Sequence, residues 1–239
     1  MHNKVLLLMA LSLGALFSCA EDTGGGDTGT GGSMARFTIK GDYLYTVDFY
    51  SLNTFDISNP ASITHIKRQN VGFGIETIFP TEDYLFLGAQ NGMHIYGLTN
   101  PAAPDKISFT PHFVSYDPVV VQGDFAYVTL RSMAGAGIGN NSLLIFDISH
   151  PSAPVLKAEY AMTWPRGLGI DGDLLFVCDD KLKVFSVANG FEIQQLQAFD
   201  IHAIDVIPRD NILFVVAEDG FYQYLYTGEG MEFLSKLTL

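Results

Sequence analysis

From residue 34 onward, short apolar runs alternate with turns marked by Gly, Asp, Asn and Pro. No stretch beyond the N-terminus carries a 3.6-residue apolar period over ten or more residues. One segment recurs five times: Asp42-Tyr43-Leu44-Tyr45, Asp83-Tyr84-Leu85-Phe86, Asp124-Phe125-Ala126-Tyr127, Asp173-Leu174-Leu175-Phe176 and Asn211-Ile212-Leu213-Phe214. A second apolar segment follows each, as in Ser142-Leu143-Leu144-Ile145-Phe146-Asp147. The anchors stand 41, 41, 49 and 38 residues apart. The long interval holds residues 133–141, which read as an inserted hairpin loop; without them the period returns to about 40 residues, the length of a propeller blade.

Each unit reads as four strands; in the first they are expected at 34–40, 43–48, 52–57 and 63–69. Gly41-Asp42, Gly123-Asp124 and Gly172-Asp173 supply the positive φ of a two-residue hairpin between the first two strands. Ser58-Asn59-Pro60, Thr99-Asn100-Pro101 and Ser149-His150-Pro151 stop the third strand, because proline cannot extend a central strand. The second and third strands are apolar on both faces, so each sheet needs a sheet above and below it. Radially stacked blades meet that need. The expected fold is all-β: a β-propeller of five four-stranded antiparallel blades at 34–70, 71–113, 114–161, 162–199 and 200–239. An open arc is the competing arrangement, and it leaves apolar faces of the first and fifth units bare. The first and last units each supply four strands of their own, so closure rests on face packing.

The run Leu143-Leu144-Ile145-Phe146 followed by Asp147-Ile148-Ser149-His150-Pro151-Ser152-Ala153-Pro154 resembles the LVIVD repeat family. The resemblance spans residues 34–239. It is stronger in units one to three than in units four and five, where Ser186-Val187-Ala188-Asn189-Gly190 and Tyr226-Thr227-Gly228 replace the proline motif. It implies propeller-like repeats in a bacterial or archaeal surface protein, often a lipoprotein, with no well-defined activity. Members often carry more repeats than this chain.

The N-terminus has its own pattern. Lys4 precedes an apolar run over residues 5–17, too short to span a bilayer comfortably. Leu16-Phe17-Ser18-Cys19 resembles a bacterial lipoprotein box, which implies a signal peptide at 1–18 and lipidation of Cys19. Ala20-Glu21-Asp22 resembles the surface-export signal of lipoproteins in Bacteroidetes-like bacteria. Residues 19–33 then form a Gly/Thr-rich tether with nothing to bury. The expected address is the cell envelope: an outer-membrane lipoprotein displayed at the surface, with a periplasm-facing one as the alternative.

Charge narrows the partners. Thirteen Lys+Arg against 26 Asp+Glu give −13, which a nucleic-acid backbone repels. Two cysteines build no disulfide scaffold, and Cys178 reads as a small buried hydrophobe. The histidines lack zinc spacing, Asp171-Gly172-Asp173 and Asp179-Asp180 lack a calcium-loop pattern, and the glycines of the 133–141 loop open no helix. No metal and no cofactor are expected.

One constellation remains. Seven residues before the hairpin anchors, where each inner strand begins, stand Glu76, Asp117 and Arg166. Arg36, His202 and Asp205 occupy the equivalent regions of units one and five. Charges at strand starts need a wet channel or partners. Arg36 and Arg166 are expected to pair with Glu76, Asp117 and Asp205 around a channel mouth that also offers a binding site. The functional expectation is a non-enzymatic binding or scaffold module for a protein, peptide or glycan. The alternatives are a surface glycan hydrolase using Glu76, Asp117 and Asp205, whose carboxylates such chemistry needs, and a purely structural envelope protein. Trp164 beside Pro165-Arg166 offers a surface for stacking.

Overall fold

The computed structural model describes residues 32–112, 118–132, 141–228 and 230–238. Cys19, Asp117 and residues 133–140 of the inserted loop lie outside them. The described residues form twenty strands in five antiparallel sheets, with hydrogen-bonded neighbours following chain order in each. The first blade holds β1 (Phe37–Lys40), β2 (Tyr43–Val47), β3 (Ser51–Asp56) and β4 (Thr64–Asn70). The second holds β5 (Ile75–Pro80), β6 (Tyr84–Ala89), β7 (Gly92–Gly97) and β8 (Asp105–Pro111). The third holds β9 (Val119–Gln122), β10 (Phe125–Leu130), β11 (Ser142–Asp147) and β12 (Val155–Ala161). The fourth holds β13 (Leu168–Asp171), β14 (Leu174–Cys178), β15 (Leu182–Asn189) and β16 (Glu192–Phe199). The fifth holds β17 (Ala203–Arg209), β18 (Ile212–Ala217), β19 (Gly220–Thr227) and β20 (Gly230–Thr238). The all-β propeller architecture expected from the repeats is thus present, with four strands per blade.

Local chemistry explains the repeat. Gly41, Gly123 and Gly172 carry φ near +55° at the first hairpin position (55°, 55° and 54°). In the fifth blade Asp210 and Asn211 both take positive φ, 52° and 62°, the pattern of a type I′ turn. After the third strand, the Asp56 carboxylate accepts bonds from the Ser58 amide (2.8 Å) and hydroxyl (2.6 Å). Asp147 does the same for Ser149, at 3.0 and 2.7 Å. The serine hydroxyl and amide hold both carboxyls below the usual carboxylate range. The Asp-x-Ser motif is therefore an Asx-type turn that aims the chain into the fourth strand. β1 starts at Phe37, three residues later than expected. The backbone before it is used across the blade boundary: Ile78 N donates to Ala35 O at 2.9 Å.

The core is four seams between blades rather than one centre. Within each anchor the third and fourth residues point to opposite faces. The fourth residue packs on the following blade: Tyr45, Phe86, Tyr127 and Phe176 are 0–2% exposed. The third packs on the preceding blade, and Leu85, Ala126, Leu175 and Leu213 are all 0% exposed. Tyrosine hydroxyls cross the seams, Tyr45 Oη to Pro101 O at 2.8 Å and Tyr127 Oη to Gly190 O at 3.2 Å.

The fifth junction differs. Phe214 occupies the position that is buried in the other four blades, yet it is 37% exposed. Leu44, the first blade's counterpart of the buried leucines, is only half-buried. Phe221 and Phe37 on the same two faces are 45% and 60% exposed. Among the described residues no apolar cluster joins the fifth blade to the first. The expectation that every blade covers both faces therefore holds at four junctions and fails at the fifth. The residues there repeat the pattern, but no sheet lies against them.

The seam assigns unequal costs to equivalent residues. Phe176→Ala is expected to lower unfolding stability by about 3–5 kcal/mol through lost burial and a cavity. Phe214→Ala should cost roughly 1 kcal/mol or less, because a large part of its ring is already in water. Urea unfolding of both variants measures the difference; equal losses would mean that the fifth face is covered.

Candidate functional site

The blades place the starts of β1, β5, β9, β13 and β17 at one end of the molecule. A cavity of about 210 Å³ opens there, lined by Met34 and Arg36 of the first blade, Glu76 and Thr77 of the second, and Pro118 and Arg131 of the third. Pro165 and Arg166 of the fourth complete it. Three of the expected residues, Arg36, Glu76 and Arg166, thus meet in one cavity. Arg131 was missed. It directly follows the end of a second strand, β10, rather than opening a first strand, but antiparallel pairing returns that end to the same mouth.

Arg166 pairs outside the expected set, reaching Glu218 at 2.7 Å. Glu76 accepts a bond from Gln90 Nε2 at 2.8 Å. The Arg131 guanidinium lies over the Trp164 ring, 5.5 Å from its centroid. His202 is exposed and does not line the cavity; its carbonyl accepts the Glu218 amide at 3.3 Å.

Asp205 has another role. Its carboxylate accepts the Ser33 hydroxyl (3.0 Å), the Val206 amide (3.0 Å) and, weakly, the Met34 amide (3.4 Å). The Leu168 amide donates to the same Ser33 Oγ at 2.8 Å. Gly32 and Gly167 flank the carboxyl so closely that a Cβ at either would lie 2.1 Å from one of its oxygens. Asp205 is thus a clasp that ties the strand entering the first blade to the fourth and fifth blades. Burial pushes its pKa up to about 6, against the lowering effect of these hydrogen bonds. A carboxyl so enclosed is poorly placed to act on a ligand in the cavity, which weakens its expected part in a hydrolase.

A second buried carboxylate shapes the mouth. Asp179 is 4% exposed and accepts the amides of Thr163 (3.0 Å) and Trp164, along with Lys183 Nζ at 2.6 Å. It fixes the turn that presents Trp164, Pro165 and Arg166. The backbone of Arg166 is pinned as well, its amide to Cys178 O (2.7 Å) and its carbonyl to Thr129 Oγ1 (2.6 Å). The Asp179-Asp180 pair in the sequence gives no hint of this, since the amides it meets lie some fifteen residues away. Cys178 is fully buried, and burial pushes its thiol well above the usual range. Among the described residues no group of three or more His, Cys, Asp or Glu could hold a metal ion.

The LVIVD repeat family matches residues 31–71 and 117–162, the first and third blades. The second blade, expected to carry the motif strongly, is not matched. Gly97-Leu98-Thr99 stands there in place of Asp-Ile-Ser and has no carboxylate to close the turn. No curated protein matches the sequence. In structure the chain is similar to a Lactobacillus plantarum protein, at 13% identity and TM-score 0.65, over 83% of this chain and 69% of that one. It is also similar to a functionally unknown protein from Desulfotomaculum acetoxidans, at 14% identity and TM-score 0.64, over 90% and 70%. A third is the periplasmic gluconolactonase PpgL of Pseudomonas aeruginosa, at 15% identity and TM-score 0.60, over 83% and 67%. At these identities the likeness concerns the fold alone.

Two carboxylates give two expected outcomes. Because Asp205 binds its proton more tightly folded than unfolded, its ionisation weakens the fold as pH rises from about 4 to about 6. Asp205→Asn removes that cost, so the variant should melt higher than the parent at pH 7.5, by roughly 3 °C per kcal/mol, with the gain shrinking at pH 5. A pH-independent difference between the two melting curves would count against the clasp's titration. Asp179→Ala strands two amides and leaves Lys183 with Asp180 alone, and a loss of about 3 kcal/mol is expected in urea unfolding.

Proposed function

We propose that the chain is a non-enzymatic binding module, a β-propeller that receives a protein, peptide or glycan at its mouth. The observation that carries this reading is the cavity itself: eight residues from four blades, distant in sequence, line one recess at the end where the inner strands begin. Its walls combine guanidinium groups, a carboxylate, prolines and a methionine, the mixture of apolar surface and few polar groups by which a recess orients a ligand. Trp164, 40% exposed, adds a flat face beside it. Blades held by four packed seams are a suitable platform, since recognition needs positioned side chains more than moving ones.

The address is part of the same proposal. Cys19, lipidated and then made the first residue by removal of residues 1–18, would hold the propeller on the outer membrane with residues 20–31 as tether, which ends where Ser33 joins the Asp205 clasp. Replacing Cys19 by Ala should release the protein from the membrane fraction of the native cell; retention of the variant would overturn the anchor.

The binding reading is tested with the mature protein on glycan and peptide arrays, beside Met34→Trp. Met34 is 41% exposed on the cavity wall, so a larger ring there fills the recess without changing its charge. Binding by the parent that Met34→Trp abolishes supports the proposal. Ligands bound equally by both proteins would move the function away from the mouth.

A further inference from the structure

We propose that the mouth cavity is an oxyanion site, which takes the carboxylate, sulfate or phosphate group of a small organic ligand through Arg36, Arg131 and Arg166. The inference rests on the mouth being the binding site and adds the chemistry of what enters.

The chain has five arginines, at positions 36, 68, 131, 166 and 209. Three of them line this one cavity, each from a different blade, and no lysine does. Among the described residues the recess gathers three guanidinium groups against Glu76 in its lining and Glu218 bound to Arg166, in a protein whose formal charge is −13. The apolar seams are complete without these three side chains, so the packing of the blades does not account for their convergence on one recess. A guanidinium presents a planar fork that matches a carboxylate or a phosphate through paired hydrogen bonds, which a lysine ammonium cannot do.

Two of the three are held in place. The Arg166 backbone is fixed at its amide and carbonyl, and its side chain is steadied by Glu218. The Arg131 guanidinium rests on Trp164, whose own amide is anchored to Asp179. Arg36 is exposed, and its carbonyl accepts the Val47 amide at 2.9 Å, which sets where its side chain leaves the strand. Met34, Pro118 and Pro165 supply apolar walls, and 210 Å³ suits a ligand of about monosaccharide size. The recess therefore fits an anionic group on a compact body better than a neutral chain.

Isothermal titration of the mature protein with D-glucuronate, D-glucose, inorganic phosphate and inorganic sulfate tests this. Glucuronate is expected to bind and glucose is not, although the two differ only in the carboxylate. Phosphate and sulfate as separate arms show whether the planar or the tetrahedral anion is preferred. Arg36→Gln and Arg131→Gln should each weaken the bound anion by about tenfold, and the melting temperature of Arg36→Gln should stay near the parent's because that exposed side chain belongs to no seam. If no anionic probe binds, if glucose binds as tightly as glucuronate, or if both variants bind like the parent, the inference is overturned. Array ligands that are neutral and lost in Met34→Trp would overturn it while leaving the mouth as the binding site. Failure of both experiments removes both readings.

Discussion

Burial of both faces of each sheet against its neighbours is the constraint from which the rest of the structure follows. A four-stranded antiparallel sheet with apolar residues on each side cannot stand alone in water. Here adjacent anchor residues divide the work. Leu85 faces back into one seam and Phe86 forward into the next, and the same division recurs in the third and fourth blades. Strand alternation then leaves no freedom of register, since a one-residue slip would exchange the two seams. The hairpin glycines and the Asx turns matter because they fix where each strand begins. That in turn places residues 36, 76 and 166 at the same end of the molecule.

The repeat, the four strands per blade and the turn chemistry were legible in the sequence because each is a local pattern with a period. Pairing between distant segments was not. Glu218 lies 52 residues from Arg166, and nothing local distinguishes it from any other acidic turn residue. Arg131 shows why counting from a single strand finds only part of a mouth: in an antiparallel blade the first strand's start and the second strand's end share one side. Asp179 was equally hidden, since its partners are backbone amides, which every residue carries. The state of the fifth junction was hidden for the opposite reason. Phe214 repeats the motif faithfully, and a motif records what a position can bury rather than whether a neighbour is there.

The open junction and the mouth are connected through Asp205. At the other boundaries the blades are held by apolar seams; between the fifth and the first, the described contacts near the axis are polar, running through Ser33, Met34 and the Asp205 carboxylate. A buried hydrogen-bonded carboxylate holds position more than it adds stability. Met34 lines the cavity, so the clasp also sets one of its walls. The geometry of the recess thus depends on a bond between the ends of the repeat array as well as on the four packed seams.

Charge gives the molecule two unlike ends. The hairpins opposite the mouth each expose an aspartate at the tip, Asp42, Asp83, Asp124, Asp173 and Asp210, while three of the five arginines gather at the mouth. Gly-Asp turns account for most of these tips through backbone conformation, so a requirement of hairpin geometry also produces an acidic rim. At long range a net charge of −13 repels an anion from most directions. Within about 8–10 Å, the Debye length at physiological salt, nearby groups dominate, and at the mouth those include three guanidiniums beside Glu76 and Glu218. Approach to the recess is therefore governed by the local arrangement of charge rather than by the net charge, and the mouth, where the guanidiniums gather, opposes an anion less than the acidic rim does.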